Sequence, residues 1–510
     1  MRHSEMELSV AQRRLRTAIF GVLSPRGRLL FSLAFVLAIV LIGFLAARGI
    51  TSEPAEKDAA ENLANAFNLA FHGVYSSDEE PTDLDPTMRR EPLPNFVLAA
   101  WMSILPLSSA EDLQGVNHGV NIQRIKLINV FWALGVLIFT YLTTWSLTRS
   151  IFAASLTSLA LIPFVLSPSL INRLMTELPA ACMIAAMSYF IMLTSKKETA
   201  SAALAAGLAG GLTALTKAVV FYLLPAVAIG LLVILLLQRL PLRNALLLSF
   251  FFLATSLLVT APWIARNAII FGEPQVASRA GAVLYKRMLL DNMTDVEYRG
   301  TLYAWSPPSI RKYVGEALGY KPSDLKLGGA LQLLNRNLLT PDDRVAQRDG
   351  RPELATSYYS MARAERKRQA ILLKGESDPA LAAERSMQEI ATSWIIAHPT
   401  QHLSLMFPLA WRAMWVPGVP VWLAPPLFFA LLILPIVSLR LRRWDLTAFS
   451  LLPIGILVIC LAATHCIPRY LAPILPEMYV AAGVLIYLGW SSARSLMPAR
   501  NTAATAKHWL

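Results

Sequence analysis

Uncharged apolar runs recur along most of the chain and are separated by short polar segments. A bilayer core is about 30 Å thick, so a helix needs roughly 20 mostly apolar residues to cross it. Runs of this kind predict transmembrane helices, and we count ten. They are Leu29–Ala47, Leu127–Thr148, Ser150–Asn172, Leu178–Ser195, Thr199–Thr216, Ala218–Leu237, Ala245–Ala265, Val416–Leu439, Leu446–Thr464 and Met478–Ala493.

The composition agrees with this pattern. Of the 510 residues, 55% are hydrophobic and only 15% are charged, and the mean hydropathy of +0.49 lies far above the range of soluble chains. The first apolar run follows a basic start that is too long for a cleaved signal peptide, so we expect it to be an anchor. The chain is therefore predicted to be an all-α polytopic membrane protein.

Every second short loop is rich in Lys and Arg. Because Lys and Arg near the ends of a span stay on the cytoplasmic side, this distribution predicts the orientation of the chain. Loops on the side of the N-terminus carry Arg149, Lys196, Lys197, Arg239, Arg243, Arg440, Arg442, Arg443, Arg494 and Arg500. The outward side receives the acidic stretch 51–91, the turn 173–177, Lys217, the segment 266–415 and the turn with His465 and Arg469.

This topology divides the chain into five predicted parts. They are a basic cytoplasmic N-terminus (1–28), a transmembrane core (29–265) with an outward loop (48–126), a mostly helical extracytoplasmic segment (266–415), C-terminal transmembrane helices (416–493) and a cytoplasmic tail (494–510). The net charge of +13 is explained by the cytoplasmic rim facing anionic lipid, and no nucleic-acid motif accompanies it. Three scattered cysteines predict no disulfide framework.

The first outward loop is unusually acidic. The stretch 51–67 holds four carboxylates, Glu53, Glu56, Asp58 and Glu61. Apolar residues at helical spacing, including Leu63 and Phe67, predict an amphipathic helix on the outer membrane surface. Ser52 can cap this helix, and Glu53 and Glu56 complement its dipole. Asp58 lies beyond the cap, where a dipole explanation fades.

Several motifs occur in a characteristic order. They are "EKD" (Glu56–Asp58), Gly73–Tyr75, "REPLP" (Arg90–Pro94), "NRLMTELPA" (Asn172–Ala180), "GLAGGLTALTKAVVFYLLP" (Gly207–Pro225), "APWIARNAIIFG" (Ala261–Gly272) and "IPRYLAPILP" (Ile467–Pro476). Together they resemble the GT-C class of membrane glycosyltransferases, in particular the bacterial branch related to protein O-mannosyltransferases and the lipid A aminoarabinose transferase. The resemblance covers most of the chain except 275–415. Glu61 stands where relatives often have Tyr, and the acceptor-side motif is reduced to "RREPLP".

The resemblance implies a multi-pass protein of the inner (plasma) membrane that transfers a sugar from a polyprenyl-phosphate-linked donor to a glycan, lipid or protein acceptor. Asp58 would be the general base, and the reaction would invert the anomeric centre. Supporting acidic residues would be Glu56, Glu61 and Glu177. The donor phosphate would be bound by Arg469, Arg90, Arg89, Lys217 and Arg266. The class is compatible with a divalent metal ion, but no residue spacing here assigns one.

The proposed chemistry explains these residue types. Phosphate is a good leaving group, so the enzyme has to accept a proton from the acceptor hydroxyl and stabilise charge on the departing phosphate. A carboxylate does the first, and Arg or Lys does the second. The predicted topology places Asp58, Glu177, Lys217 and Arg469 together on the outward side, although it was derived from loop charge alone.

Other interpretations stay open at the level of sequence. Charged groups could line the pathway of a lipid or solute transporter, or a non-catalytic relative could bind the carrier lipid. Lys217 and Glu477 could snorkel to the interface or form a structural ion pair. Asp83–Asp85 is explained by a solvated turn, and His465 is either a structural residue or a contact to the donor phosphate.

The topology is testable by cysteine accessibility. In a chain without its native cysteines, a cysteine introduced at position 58 should react with an impermeant reagent from outside, and one at position 197 only after permeabilisation. The positive-inside rule gives this result because Lys196 and Lys197 mark the retained side. Labelling of both positions from the same side would contradict the topology.

Overall fold

The computed structural model describes residues 25–80, 84–107, 112–376 and 378–496. Most of the basic N-terminus, most of the C-terminal tail and Asp83 of the Asp83–Asp85 motif lie outside these residues. Within them the regular secondary structure is helical, without a strand. The prediction of an all-α polytopic chain is therefore confirmed.

The helices follow one another with short connections. In chain order the α-helices are α1 (Pro25–Arg48), α2 (Asp58–His72), α3 (Pro92–Ile104), α4 (Leu113–Val116), α5 (Gly119–Lys126), α6 (Ile128–Thr148), α7 (Ile151–Leu159), α8 (Ile162–Val165), α9 (Pro168–Ile171), α10 (Glu177–Lys197), α11 (Ala200–Thr216), α12 (Val219–Leu237), α13 (Leu242–Phe271), α14 (Ala280–Asp291), α15 (Asp295–Ala304), α16 (Pro308–Leu318), α17 (Pro341–Asp349), α18 (Tyr358–Leu372), α19 (Pro379–Ala397), α20 (Pro399–Ser404), α21 (Met406–Met414), α22 (Ala424–Leu441), α23 (Trp444–Ala463) and α24 (Leu475–Leu496). Short 3₁₀ helices lie at Pro322–Leu325, Gln332–Leu334, Pro352–Leu354 and Pro468–Ile474.

Seven stretches in the described residues are long and apolar enough to cross a membrane. They are Gly119–Thr148, Glu177–Lys197, Val219–Leu237, Leu242–Phe271, Ala424–Leu441, Trp444–Ala463 and Pro468–Ala493, and each overlaps a predicted span. Two further predicted spans are shorter apolar helices, Ser32–Arg48 and Ala200–Thr216. The sequence thus located these nine helices, and the first of them, α1, is longer than its predicted span 29–47.

The predicted span 150–172 is wrong as a single helix. Three short helices, α7, α8 and α9, occupy it, and Pro163 and Pro168 each stand in the first turn of one of them. Proline favours the first turn of a helix and disfavours a helical conformation in the residue before it, so it divides an apolar run that hydropathy alone reads as continuous.

Small residues bring α11 close to α13. A Cβ atom added at Gly207 would lie 2.5 Å from the carbonyl oxygen of Phe252, and one added at Gly211 would lie 2.5 Å from Cβ of Val259. Ser256 Oγ donates to the Gly207 carbonyl at 3.0 Å across the same contact. Close backbone approach through small residues is a common way for helices to associate in a membrane.

The segment after α13 is mostly helical and packs as a cap on one end of the bundle. Helix α14 packs against α18 and α19 and also contacts α23. A buried polar cluster ties α14 to α20, because Arg287 pairs with Asp291 and donates to the His402 carbonyl at 2.6 Å. His402 Nδ1 lies 2.7 Å from Asp291 Oδ2. Helix α13 continues to Phe271, so the predicted extracytoplasmic segment 266–415 begins inside a helix.

The opposite end of the bundle is basic. Lys196 Nζ donates to the Ser146 carbonyl at 2.5 Å, and Arg443 Nη2 donates to the Leu147 carbonyl at 3.0 Å. Arg443 also pairs with Asp445 at 2.9 Å. The structure thus separates these predicted cytoplasmic residues from the predicted outward ones. Which end faces the cytoplasm stays a prediction.

The glycine contact is testable by a matched pair of variants. Gly207→Ala should lower thermal stability, because α11 and α13 must move apart to admit the Cβ atom, and overpacking costs about 1–3 kcal/mol. Gly489→Ala in α24 is the control, since no atom lies within 4 Å of the added Cβ atom. Melting of both variants in one detergent measures the difference, and equal melting temperatures would refute the close contact.

Candidate active site

Helix α2 begins at Asp58, five residues later than a cap at Ser52 predicts. Residues 51–57 are not helical, so Ser52 does not cap the helix, and Glu53 and Glu56 do not lie in its first turn. Tertiary contacts hold the loop instead: buried Lys126 donates to the carbonyls of Thr51 and Glu53, at 3.2 and 2.5 Å. The predicted start was wrong because these contacts compete with local capping. Asp58 and Glu61 consequently occupy the first turn of the helix.

The polar face of α2 is buried as well as its apolar face. Leu63 and Phe67 pack with residues of α3 and α5, as the amphipathic pattern predicts. Asn62, Asn65 and Asn68 on the polar face are buried too. Asn62 donates to the Leu174 carbonyl at 2.8 Å, and Asn68 donates to the Ser76 carbonyl at 3.0 Å. Helix α2 is therefore fixed on both sides and does not lie free on a surface.

Arg90 joins the two carboxylates of the first turn. It lies just before α3, and only 6% of the residue is exposed. Its Nη2 donates to Asp58 Oδ1 at 2.6 Å, and its Nε donates to Glu61 Oε2 at 2.6 Å. Tyr75, whose hydroxyl lies 3.2 Å from the Arg90 carbonyl, packs edge-on against Trp263 and thereby supports this loop. Arg90 thus holds Asp58 and Glu61 in one arrangement.

Two more arginines approach the same carboxylates from distant parts of the chain. Arg279, directly before α14, places Nη2 2.7 Å from Glu61 Oε2 and Nη1 3.4 Å from Asp58 Oδ1. Arg469, in the 3₁₀ helix Pro468–Ile474, places Nη2 3.3 Å from Asp58 Oδ2. Asp58 therefore faces three guanidinium groups, of which Arg90 is the closest.

These three guanidinium groups determine the ionisation state of Asp58. Burial by itself raises the pKa of a carboxyl group, but Arg90, Arg279 and Arg469 outweigh it and hold the pKa of Asp58 well below its usual range. The carboxylate is therefore ionised at neutral pH. As long as all three arginines stay in place, it is also a weak proton acceptor.

Glu177 and Lys217 complete the polar end of the site. Glu177 is the first residue of α10 and is 3% exposed. Its Oε1 lies 3.0 Å from Arg469 Nε, without hydrogen-bond geometry, and its Oε2 is buried without a hydrogen-bond partner. Lys217, directly after α11, makes no ion pair within the described part of the chain. The site thus holds an unpaired carboxylate oxygen and an unpaired ammonium group.

A cavity of about 310 Å³ extends from these residues into the bundle. Its polar end is lined by Asp58, Glu177, Lys217, Arg279 and Arg469. Its other walls are largely apolar and come from α10, α12, α14 and α23. Tyr222 of α12 lines the cavity and is 56% exposed, so the cavity is not fully enclosed beside α12. One space therefore joins a charged end to largely apolar walls.

The structure brings together most, but not all, of the predicted site residues. Arg89 lines the cavity and lies 3.5 Å from Glu61, whereas the side chain of Glu56 is exposed and makes no ion pair in the described structure. Arg266 is not in the cavity. It stacks on Trp263 at 4.5 Å and donates to the Thr87 carbonyl at 3.0 Å, so it fixes the loop before Arg89.

Arg279 is the site residue that sequence reasoning missed. It lies in the part of the chain that the motif resemblance does not cover. A backbone hydrogen bond from Ser278 to the Met88 carbonyl, 3.1 Å long, places it beside Arg89 and Arg90. Its only local signal is its position directly before a helix, which many surface arginines share.

The donor set does not fit a divalent metal ion. Magnesium and calcium need several free oxygen ligands, and the oxygens of Asp58 and Glu61 are already paired with guanidinium groups. No group of three acidic, histidine or cysteine residues in the described structure has the spacing of a metal site. We therefore derive no step through a metal ion.

Three solved structures are similar in the arrangement of helices. The archaeal oligosaccharyltransferase AglB from Archaeoglobus fulgidus, in complex with an inhibitory peptide and a dolichol-phosphate, is 12% identical with a TM-score of 0.47, over 92% of this chain and 52% of that one. The apo form of the Archaeoglobus fulgidus oligosaccharyltransferase is 12% identical with a TM-score of 0.45, over 91% of this chain and 51% of that one. ArnT from Cupriavidus metallidurans bound to undecaprenyl phosphate is 14% identical with a TM-score of 0.36, over 88% of this chain and 77% of that one.

AglB and ArnT are GT-C glycosyltransferases, the class that the sequence motifs resemble. The chain spans about half the length of the oligosaccharyltransferases that it matches. No protein-family model and no curated protein matches the sequence. Since the TM-scores are below 0.5, the function has to be argued from this chain's own residues.

The role of Arg90 is testable by stability. Arg90→Met should lower the free energy of unfolding by about 1–3 kcal/mol, because it leaves two partly buried carboxylates without their closest partner. Arg89→Met is the control, since Arg89 is 39% exposed and has one longer contact to Glu61. Thermal melting in detergent compares the two variants. A smaller loss for Arg90→Met than for Arg89→Met would contradict the central position of Arg90.

Proposed function

We propose that this protein transfers a sugar from a polyprenyl-phosphate-linked donor to the hydroxyl group of an acceptor on the outer face of the inner membrane. The observation that carries the proposal is the cavity, which joins a cluster of cations and carboxylates to largely apolar walls between helices. An amphiphile with a phosphate head and a long hydrocarbon chain has the complementary shape and polarity.

The charges at the polar end favour an anionic ligand. The described residues there supply five cations, Arg89, Arg90, Lys217, Arg279 and Arg469, and four carboxylates, Asp58, Glu61, Glu91 and Glu177. Lys217 is the cation without a carboxylate, and it lies at the junction of the polar end with α12. A bound phosphate would compensate this excess and pair with Lys217.

Distances suggest which arginines a phosphate would engage. Arg279 and Arg469 lie 3.4 and 3.3 Å from Asp58. Arg90 lies 2.6 Å from Asp58, and its Nε and Nη2 both donate to carboxylates already. We therefore assign donor phosphate binding to Lys217, Arg279 and Arg469. Arg90 is a positioning residue that keeps Asp58 and Glu61 in place, and Arg266 supports the loop from outside the cavity.

This exchange of partners would activate Asp58. When Arg279 and Arg469 turn to the donor phosphate, Asp58 loses two of the positive charges that hold its pKa down, so it becomes a better base. The acceptor oxygen then attacks the anomeric carbon as its proton moves to Asp58. The bond between that carbon and the phosphate oxygen breaks, and its electron pair goes to the phosphate.

The products of this step are the glycosylated acceptor and polyprenyl phosphate. Attack from the side of Asp58, opposite the phosphate, is a single displacement and inverts the anomeric centre. The charge that develops on the leaving phosphate is stabilised by Lys217, Arg279 and Arg469, which already face the phosphate once the donor is bound. Glu177 would orient Arg469 through its contact with Nε.

A lipid or solute transporter is the second candidate from the sequence. A pathway across the membrane would need polar groups near the midplane of the bundle, but the cations and carboxylates of the candidate site collect at one end of it. The apolar walls of the cavity would suit a hydrocarbon chain better than a polar solute. We therefore prefer the transferase.

An activity assay separates the candidates. Purified protein in nanodiscs should release polyprenyl phosphate from a member of a panel of polyprenyl-monophosphate-linked sugars when an acceptor is supplied. A transporter would move the lipid between leaflets of liposomes without releasing polyprenyl phosphate. A non-catalytic relative would bind polyprenyl monophosphate and do neither.

The role of Asp58 predicts a large kinetic effect. Asp58→Asn keeps the size of the side chain but removes the proton acceptor, so turnover should fall by about 10²–10⁴-fold. Glu56→Gln should lower turnover far less, because the Glu56 side chain is exposed and lies outside the group of carboxylates and arginines around Asp58. If Asp58→Asn turned over like the parent while Glu56→Gln did not, the base would be assigned to the wrong residue.

The same role has a pH signature. The base acts only when deprotonated, so activity is lost as the pH falls through its pKa. In the free enzyme that pKa is held low by the arginines, and the profile of kcat/KM reports the free enzyme. The acidic limb of kcat, which reports the bound complex, should therefore lie at a higher pH than that of kcat/KM. Coincident limbs would exclude the exchange of partners.

A further inference from the structure

Two buried acceptor oxygens at the polar end of the cavity have no part in the transfer step proposed above. They belong to Asn62 of α2 and Glu177 of α10, and both residues line the cavity. Asn62 is 2% exposed and Glu177 is 3% exposed. No described residue donates a hydrogen bond to Asn62 Oδ1 or to Glu177 Oε2. Burying an acceptor without a donor is destabilising, so the two oxygens need an explanation.

The hydrogen bond of Asn62 identifies its free atom as the amide oxygen. The side-chain nitrogen donates to the Leu174 carbonyl at 2.8 Å, and a carbonyl oxygen can only accept, so the other atom is Oδ1. The same bond fixes Asn62 beside the turn that leads into α10. Met175 and Thr176, which separate Leu174 from Glu177, line the cavity as well. Asn62 and Glu177 therefore border the same part of the cavity wall.

Glu177 has one oxygen engaged and one oxygen without a partner. Its Oε1 lies 3.0 Å from Arg469 Nε. Lys217 also lines the cavity but forms no ion pair with Glu177. Oε2 thus remains for a donor that the described part of the protein does not supply.

Both residues are neighbours of the groups that carry the proposed step. Asn62 follows Asp58 by four residues, so the two side chains lie on the same face of α2. Glu177 contacts Arg469, whose Nη2 lies 3.3 Å from Asp58 Oδ2. In the proposed step the sugar ring lies between the acceptor, which is activated by Asp58, and the phosphate, which is bound by Arg469. The two oxygens therefore lie beside the space that the sugar ring would occupy.

An acceptor oxygen recognises a group that donates a hydrogen bond. On a sugar ring such a group is a hydroxyl group or, in an amino sugar, an ammonium group. The polar end already has five cations and four carboxylates, and the donor phosphate would compensate this excess. An ammonium group on the sugar would restore the excess, whereas hydroxyl groups would leave the charge balanced. The charges of the site therefore favour hydroxyl groups.

We propose that Asn62 Oδ1 and Glu177 Oε2 accept hydrogen bonds from hydroxyl groups of the transferred sugar and thereby select the donor. The proposal rests on the proposed function and adds the part of the donor that determines specificity. The sugar supplies the two hydrogen bonds that the protein lacks here. A donor without these hydroxyl groups would leave the oxygens unpaired in the complex, and sites built to bind a hydroxyl group reject such analogues strongly.

Binding of lipids to the purified protein in nanodiscs tests this without turnover. The probes are polyprenyl phosphate diesters of glucose, mannose, galactose, xylose, arabinose and the amino sugar glucosamine. Polyprenyl methyl phosphate, a diester without a sugar, is the reference. At least one neutral sugar should bind about tenfold more tightly than the reference. Among analogues of this sugar that lack one hydroxyl group each, those without a bound hydroxyl should bind about tenfold more weakly than the full sugar.

Two variants connect this difference to the two oxygens. Asn62→Ala removes Oδ1. Glu177→Gln places an amide nitrogen at the position of Oε2, because the amide oxygen stays with Arg469. In each variant, one deoxy analogue that the parent discriminates against should bind as tightly as the full sugar. A merely structural role would weaken the binding of both lipids and keep the difference between them.

Asn68→Ala is the matched control. Asn68 is a buried asparagine of the same helix, it donates to the Ser76 carbonyl at 3.0 Å, and it does not line the cavity. This variant should keep the parent's discrimination between the full sugar and every deoxy analogue. If Asn62→Ala does not fold, Glu177→Gln and the deoxy analogues on the parent decide the question.

Three outcomes overturn the inference. The first is that no neutral sugar diester binds more tightly than the reference, and the second is that only the glucosamine diester does so, which would assign the oxygens to an ammonium group. The third is that the folded variants keep the full discrimination of the parent. Failure of the proposed function looks different, because the parent would then bind none of the diesters, or bind them without releasing polyprenyl phosphate when an acceptor is supplied.

Discussion

The fork of Arg90, closed on Asp58 and Glu61, is the interaction on which the rest of the site depends. Two carboxylates one helical turn apart repel each other, and a largely buried guanidinium group between them makes the pair stable. The loop that carries Arg90 is itself fixed by Tyr75, Trp263 and Arg266. Helix α2 therefore enters the site in one position.

Around this fixed centre, the other arginine contacts to Asp58 are longer than that of Arg90. Arg279 and Arg469 come from the cap and from the C-terminal spans, and they meet Asp58 at 3.4 and 3.3 Å. Because Arg90 holds Asp58 in place, Arg279 and Arg469 can move to a bound anion while the proposed base keeps its position. In our proposal the donor phosphate makes this change, and the charge balance of Asp58 links donor binding to proton transfer.

The cap takes part in the site as well as covering it. It provides Arg279 to the carboxylates, and its helix α14 lines the cavity together with the apolar helices α10, α12 and α23. The polar end and the apolar walls of the cavity thus meet between α14, α10 and α23. This arrangement suits a substrate with one end in the bilayer and the other in water.

Sequence alone determined the class, because a bilayer imposes length and hydropathy on each span. It also identified Asp58, Glu177, Lys217 and Arg469 as neighbours at one end of the bundle. Tertiary structure decided the rest: the start of α2, set by Lys126; the three helices in 150–172; the exclusion of Glu56 and Arg266 from the cavity; and the entry of Arg279. Those outcomes depend on contacts between residues far apart in the chain, sometimes by more than 200 positions, and local periodicity carries no information about such contacts.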